Sequence, residues 1–277
     1  MNNVKSNLPK QINYKGSTLL TFLILIVFSC EHFERNNPND TGGINWRPEE
    51  IQNDLKAIDI DGNEYPVVIL GEQIWTIENL QVTRLNDGTK IVHAKDSIEW
   101  LNTCEPSYCF YKNNIDTDFQ TKWGALYNWY AVNSGKLAPK GWHIPSDSDW
   151  VKLKNYLVTN GYNWDGSNIG NKIAKSLGST TDWYGPVSTI SNSCIKGAIY
   201  CDMINNNKSG FSALPSGVRT IGFEGMGREC DWWTSSVDDN GLPIIYYLQE
   251  AEYLGRNDGY YSKTSGLSLR LVKNNDM

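Results

Sequence analysis

The stretch Gly141-Trp142-His143-Ile144-Pro145-Ser146 is the strongest local constraint in the chain. Pro145 has no backbone donor and fixes its own φ, so no helix runs through it, and the residues before it read as a short extended segment. Ser146 then stands as a helix N-cap, with Asp149 in the reciprocal position three residues on. Behind the cap Trp150, Leu153 and Leu157 recur at helical spacing, and Gly161 ends the pattern. One window therefore dictates an aromatic strand, a rigid corner and a capped helix that buries one face.

Strands are expected before this window. Ala57 to Ile60, an Asp61-Gly62 turn and Glu64 to Leu70 read as a hairpin, and Gly71-Glu72 turns the chain into the alternating run Gln73 to Leu80. Asp96 to Cys109 reads as a loop braced by Trp100, and Trp123 to Val132 as a first helix stopped at Gly135. After the capped helix, Asn171 to Leu177 reads as a third helix, and the Ser-, Asn- and Gly-rich run from Thr180 to Ser209 as a long ordered loop. Three more strands follow: Asp231 to Val237, Ile244 to Gln249 and Leu267 to Lys273. In the last, Leu267, Leu269 and Leu271 alternate with Ser268 and Arg270, as a half-buried, half-wet strand would. Strands, then helices, then strands is an α+β order, with the two ends of the domain joined through one sheet.

The first 29 residues carry Lys5, Lys10 and Lys15 and no acid, followed by an apolar run, residues 19–28, broken only by Thr21. A run of ten is too short for a membrane-spanning helix and fits a signal-peptide core. Val27-Phe28-Ser29-Cys30 resembles a bacterial lipobox, so cleavage before Cys30 and lipidation of its thiol are expected. Residues 30–56 read as a polar tether and residues 57–274 as one domain. The resulting address is the outer membrane, on the periplasmic side or the cell surface, with the lipid as the membrane contact. Without the leader the chain holds 22 basic and 31 acidic residues, a net charge of about −9 with no basic cluster, which excludes nucleic acid as a partner.

Export makes disulfides the default for Cys104, Cys109, Cys194, Cys201 and Cys230. Cys104 with Cys109, and Cys194 with Cys201, each flank a short loop that a bridge would close, which leaves Cys230 free or paired differently. No CxxC occurs and the three histidines are isolated, so neither a metal nor another cofactor is expected.

Several stretches together resemble the Fibrobacter succinogenes major paralogous domain, a family of exported bacterial proteins. They are Asp61-Gly62-Asn63-Glu64-Tyr65, Trp75-Thr76-Ile77-Glu78-Asn79-Leu80, Trp123-Gly124-Ala125-Leu126-Tyr127-Asn128-Trp129 and the Gly141 to Ser146 motif. Gly210-Phe211-Ser212-Ala213-Leu214-Pro215-Ser216-Gly217, Trp232-Trp233-Thr234-Ser235-Ser236 and Leu267 to Lys273 complete the set. The resemblance implies a C-type-lectin-like fold near the formylglycine-generating enzymes, with an N-terminal β-meander, two to three helices, long ordered loops and C-terminal antiparallel strands. The family often bridges a cysteine before the Gly-Trp-His motif to one in the last strand. Leu137 and Leu271 stand at those places here, which implies packing instead.

His143, between Trp142 and Ile144, reads as a core histidine bonded to backbone, and Ser146 and Asp149 as a cap rather than a catalytic pair. The copper-binding cysteine pair of formylglycine-generating enzymes has no counterpart, and Glu105-Pro106-Ser107 and Arg256-Asn257-Asp258 match lectin calcium motifs only in part. No catalytic residue is assigned. The better candidates are late aromatic and polar residues suited to stacking on sugar rings and bonding hydroxyls: Arg228, Trp233, Tyr247, Glu250, Tyr253, Asn257 and Asp258, with Trp232, Tyr246, Tyr260, Tyr261, Asp231 and Arg256 around them. Each aromatic taken singly also fits the core of the last sheet. The expected function is non-enzymatic adhesion or binding of a polysaccharide or cell-surface protein. The alternatives are an enzyme of the formylglycine-generating branch and a structural envelope protein.

Overall fold

The computed structural model describes residues 55–185 and 194–274. The expected leader, Cys30 and the tether up to residue 54 lie outside the described residues. Among the described residues no helix is long and apolar enough to cross a membrane.

The domain is α+β. It opens with the expected meander, β1 (Lys56–Ile58), β2 (Glu64–Leu70) and β3 (Gln73–Thr76). Asp59 shapes the first turn: its carboxylate accepts from the Asp61 and Asn63 backbone N–H at 2.9 and 3.0 Å and from the Tyr65 hydroxyl at 2.6 Å. The last strand, β13 (Val272–Lys273), pairs antiparallel with β3 and with β7 (Trp142–His143), so the sheet runs β1-β2-β3-β13-β7 and joins both ends of the domain. The Gly-Trp-His motif is thus an edge strand of that sheet. Behind it α4 (Asp147–Thr159) has the expected capping box and buries Trp150, Leu153 and Leu157.

Several readings change. The helix expected over Trp123 to Val132 is two helices with a strand between them: α2 (Thr117–Trp123), β6 (Leu126–Tyr127) and α3 (Trp129–Asn133). Gly124 causes the break. Its φ is 74°, and a side-chain carbon there would lie 2.6 Å from the Asn79 Cβ and 2.9 Å from its carbonyl oxygen. The loop expected over Asp96 to Cys109 contains α1 (Ser97–Asn102), whose first amides are accepted by Asp96, and β5 (Ser107–Cys109), lying between β4 (Val92–His93) and β6. The third helix begins only at Ala174, as α5 (Ala174–Leu177), because Asn171 instead exchanges hydrogen bonds with the Leu254 backbone.

The terminal segment departs most. Ser268 and Arg270, expected wet, are buried along with the leucines. Chain covers both faces, and the Arg270 guanidinium donates to Asn79 Oδ1 (2.9 Å) and to the Thr76, Phe211 and Ser212 carbonyls (2.8, 3.3 and 3.3 Å). Burial lowers its pKa to about 10. Leu137 and Leu271 are both buried in one apolar cluster.

A separate three-stranded sheet, β10 (Cys230–Val237), β11 (Pro243–Leu248) and β12 (Gly255–Asp258), stands between two cores. Side chains alternate along a strand. Trp232, Ile244, Tyr246 and Leu248 enter one core, with Trp75, Trp150 and Phe211, whereas Trp233 and Ile245 enter the other, with Tyr127, Trp129 and Leu269. β8 (Val218–Arg219) and β9 (Phe223–Glu224) form a small hairpin nearby.

Candidate functional site

The β10–β11–β12 register decides the fate of the late aromatics. Asp231 pairs with Tyr247 and Trp233 with Ile245, while Tyr247 and Ile245 pair on their other side with Gly255 and Asn257. These residues share one face of the sheet. The middle of that face is covered, and its end toward Tyr247 is open. Trp233 lies in the covered part at 0% exposure, its indole N–H donating to the Tyr127 carbonyl at 2.8 Å. It is a core residue and not the ligand contact expected of it, because α3 and the terminal segment roof that part of the sheet. Trp232 and Tyr246 are buried on the other side.

At the open end four tyrosines gather. The Tyr247 ring leans across the strand over Gly255, where a Cβ would fall 2.1 Å from the ring. Tyr253 packs edge-on to Tyr247 with centroids 6.5 Å apart, and Tyr260 edge-on to Tyr261 at 4.8 Å. Tyr253 and Tyr260 keep 43% and 68% of their surface in solvent. Tyr261 is the hinge between this surface and the core. Its ring reaches Trp233 at 6.4 Å and its hydroxyl donates to Asp231 Oδ2 at 2.6 Å.

Asp231 is itself buried, with no partner for Oδ1. Burial pushes its carboxyl up to about 8; the Tyr261 hydrogen bond works against that rise and the neighbouring Glu229 adds to it. Burial likewise raises Glu229, which accepts from Gln249 at 3.1 Å.

The remaining candidates divide. Arg228 and Glu250 are half-buried and face each other at 4.0 Å. Asn257 shares the Tyr247 face and is partly exposed. Asp258 lies on the opposite face, where it meets Arg256 at 2.5 Å, and Arg256 in turn clamps Asp147 at the start of α4. Tyr247, Tyr253, Arg228 and Glu250 thus lie near one end of the sheet, Asn257 sits two residues along beside Ile245, Trp233 is buried and Asp258 lies on the other face.

His143 is not a core histidine bonded to backbone. It is half-exposed, with Nδ1 2.7 Å from Asn274 Oδ1 and Nε2 3.1 Å from Asp149 Oδ2. Its pKa is raised by the Asp149 carboxylate. Burial pushes the Asp149 carboxyl up, but hydrogen bonds from His143 and Ser146 outweigh it and hold the group below the usual range. Ser146, Asp149 and His143 are adjacent, yet the order of contacts is not that of a nucleophile and its base. Ser146 Oγ donates to Asp149 at 2.6 Å while the imidazole bonds to that same carboxylate, an assembly explained by the helix cap.

Cys194 and Cys201 form the expected disulfide. Cys104 and Cys109 do not bond. Cys109 points into a cluster with Trp100 and Leu126, where burial raises its thiol to about 11, whereas Cys104 is exposed. Asn128 holds the intervening chain away from a closed loop, accepting from the Ser107 N–H at 3.0 Å and donating to the Glu105 carbonyl at 2.9 Å. Cys230 is free and buried, 3.2 Å from Ser216 Oγ, and burial raises its thiol to about 12, far from a reactive thiolate. Among the described residues no group of three His, Cys, Asp or Glu side chains could hold a metal ion.

Sequence reasoning missed a second feature, a cleft of about 440 Å³ whose lining includes Trp164, Lys175, Lys196, Lys208 and Asp202. Its lysines are scattered along the chain, and only the fold brings them together.

A family model described as the Fibrobacter succinogenes major domain matches residues 68–273. No curated protein and no solved structure matches the chain.

Proposed function

The chain belongs to the Fibrobacter succinogenes major domain family, and from that premise we propose that it is a non-enzymatic binding module for an extracellular polysaccharide. The observation that carries the reading is the tyrosine surface at the open end of the β10–β12 sheet, where Tyr253 packs on Tyr247 and Tyr260 on Tyr261, whose hydroxyl is held by the buried Asp231, and where Tyr253 and Tyr260 keep much of their surface in solvent. Sugar rings present apolar C–H faces that lie well on such rings, and Asn257, Arg228 and Glu250 supply donors and acceptors for hydroxyls nearby. Tyrosine holds its ring with few rotatable bonds, so little entropy is lost on binding.

The finer parts of the reading go with this one. The domain is lectin-like in architecture, with the meander and terminal strand joined and long loops between. A lipid on Cys30 ties it to the outer membrane, so the binding surface works in adhesion at the envelope. The buried, raised Cys230 thiol gives no support to an oxidase of the formylglycine-generating type.

The test is retention of the full chain, in mild detergent, on insoluble polysaccharides and a glycan array, with Tyr253→Ala and Tyr260→Ala alongside. Saturable binding that both variants weaken is the expected outcome. A folded protein that no glycan retains would remove the polysaccharide reading.

A further inference from the structure

Four lysines of this acidic chain meet carboxylates. Lys56 meets Glu64 at 2.6 Å, Lys122 meets Asp182 at 3.0 Å, Lys136 meets Asp87 at 2.7 Å and Lys172 meets Asp165 at 2.5 Å. Three others line the 440 Å³ cleft, and among the described residues none of them has a carboxylate ion pair. Lys175 donates to the backbone carbonyls of Cys201 and, at 3.1 Å, Asp202. Lys208 donates to the Gly161 carbonyl at 3.0 Å and lies 5.5 Å from the Tyr162 ring centre. Lys196 stands 5.2 Å above the Trp164 ring. The nearby acids are engaged by neutral donors: Asp202 accepts from Asn205 at 2.6 Å and Glu252 from the Trp164 indole at 2.6 Å.

Like charges gathered in one concavity raise the local potential and repel one another until an anion enters. Burial lowers the Lys175 pKa, and the Asp202 carboxylate in the same lining works against that. The volume falls in the range of small-ligand pockets, about 300–1,000 Å³. The donors are compact ammonium groups on flexible stems, which suit a multiply charged oxyanion better than they suit planar, bidentate recognition. The Cys194–Cys201 bridge fixes the wall that carries Lys196. We propose that this cleft is an anion-binding site for a sugar-sized ligand bearing a sulfate ester, a phosphate ester or a uronate carboxylate. Trp164 and the lysine stems supply the apolar wall, and the three ammonium groups meet the charge. The site is separate from the tyrosine surface and does not depend on it.

The experiment is calorimetric titration of the full chain, in mild detergent, with glucose 6-sulfate, glucose 6-phosphate and glucuronate, and with glucose as the neutral probe. The three anionic sugars bind and glucose does not, and their ranking identifies the preferred group. Lys196→Gln and Lys208→Gln, at exposed positions that leave the fold intact, each weaken binding about tenfold. Lys172→Gln, which removes an ion-paired lysine just outside the cleft, leaves it unchanged. Added salt weakens binding in the wild-type chain. Anionic sugars that bind no better than glucose, or binding that survives both cleft substitutions, would overturn the proposal. So would an equal loss in Lys172→Gln.

Discussion

On one side of the β10–β12 sheet, Trp232 and Tyr246 are closed to solvent against Trp150 and Phe211, with the Trp150 and Tyr246 rings stacked at 5.0 Å. At the open end of the other side, Tyr253 and Tyr260 keep 43% and 68% of their surface in water. The residue chemistry is alike, so aromatic content does not separate architecture from binding; exposure does. Trp232 and Trp233 donate their indole N–H groups within the protein, to Asn79 Oδ1 at 3.1 Å and to the Tyr127 carbonyl at 2.8 Å. Tyr261 stands between the two regimes, its ring against Trp233 and its hydroxyl bound to a buried acid. An aromatic closed off from solvent builds the fold; one that keeps part of its ring in water is free to serve a ligand.

The largest effect expected is on the interior. Trp233→Ala lowers stability by about 3–5 kcal/mol in denaturant titrations, and any loss of binding follows the loss of fold. Stability within 1 kcal/mol of wild type, with binding abolished, would put Trp233 on the ligand side after all.

Arg270→Met comes next. It takes a donor from the buried Thr76 and Phe211 carbonyls and from the half-buried Ser212 carbonyl and costs about 3 kcal/mol, whereas Arg256→Met, at a partly exposed ion pair, costs about 1 kcal/mol or less. Equal losses would show that the interior polar network does not hold the terminal segment.

On the open end, Tyr253→Ala leaves stability within about 0.5 kcal/mol and weakens glycan binding about tenfold. A large drop in melting temperature would instead make Tyr253 part of the core.

Between the two regimes, Asp231→Asn acts through pH. The folded carboxyl titrates at about 8 against an ordinary value of 3.8, so across that window the native state holds a proton that the unfolded chain has released. Stability therefore falls as pH rises through the window, and Asn, which does not titrate, removes that slope. Parallel stability profiles for wild type and variant would refute the raised acid.

The smallest effect is at His143. Its raised pKa contributes stability that is full below 6.5 and fades as pH climbs through the folded value. His143→Gln costs less than about 1 kcal/mol at low pH and nothing once the histidine is neutral, as melts across that range would show.

Much of the fold was legible where local chemistry decides it. Ser146 and Asp149 cap α4 because a side-chain oxygen and a free amide lie within a few residues, and no tertiary partner alters that. The Asp61-Gly62 turn and the Cys194–Cys201 bridge are local in the same sense. Legibility fails where a distant segment decides. Gly124 splits a helical pattern because Asn79 presses against it, and Arg270 is buried because carbonyls from residues 76, 211 and 212 converge on it. Cys109 escapes a bridge because β5 turns it into the Trp100 cluster. The candidate site follows the same division. Tyr247 and Tyr253 could be named as aromatics near polar groups, but Trp233 could be excluded only once its face of the sheet was seen to be roofed. The lysine cleft left no signal, since its members approach one another only in the folded chain.

The most direct measurement is a comparison of glycan retention and melting temperature for the wild-type full chain and the double variant Tyr253→Ala/Tyr260→Ala. Saturable retention of a polysaccharide by wild type, lost in a double variant that melts at the same temperature, is the predicted result. A double variant that binds as well as wild type, or a folded wild-type chain that retains no glycan, would contradict the assignment of function to the tyrosine surface.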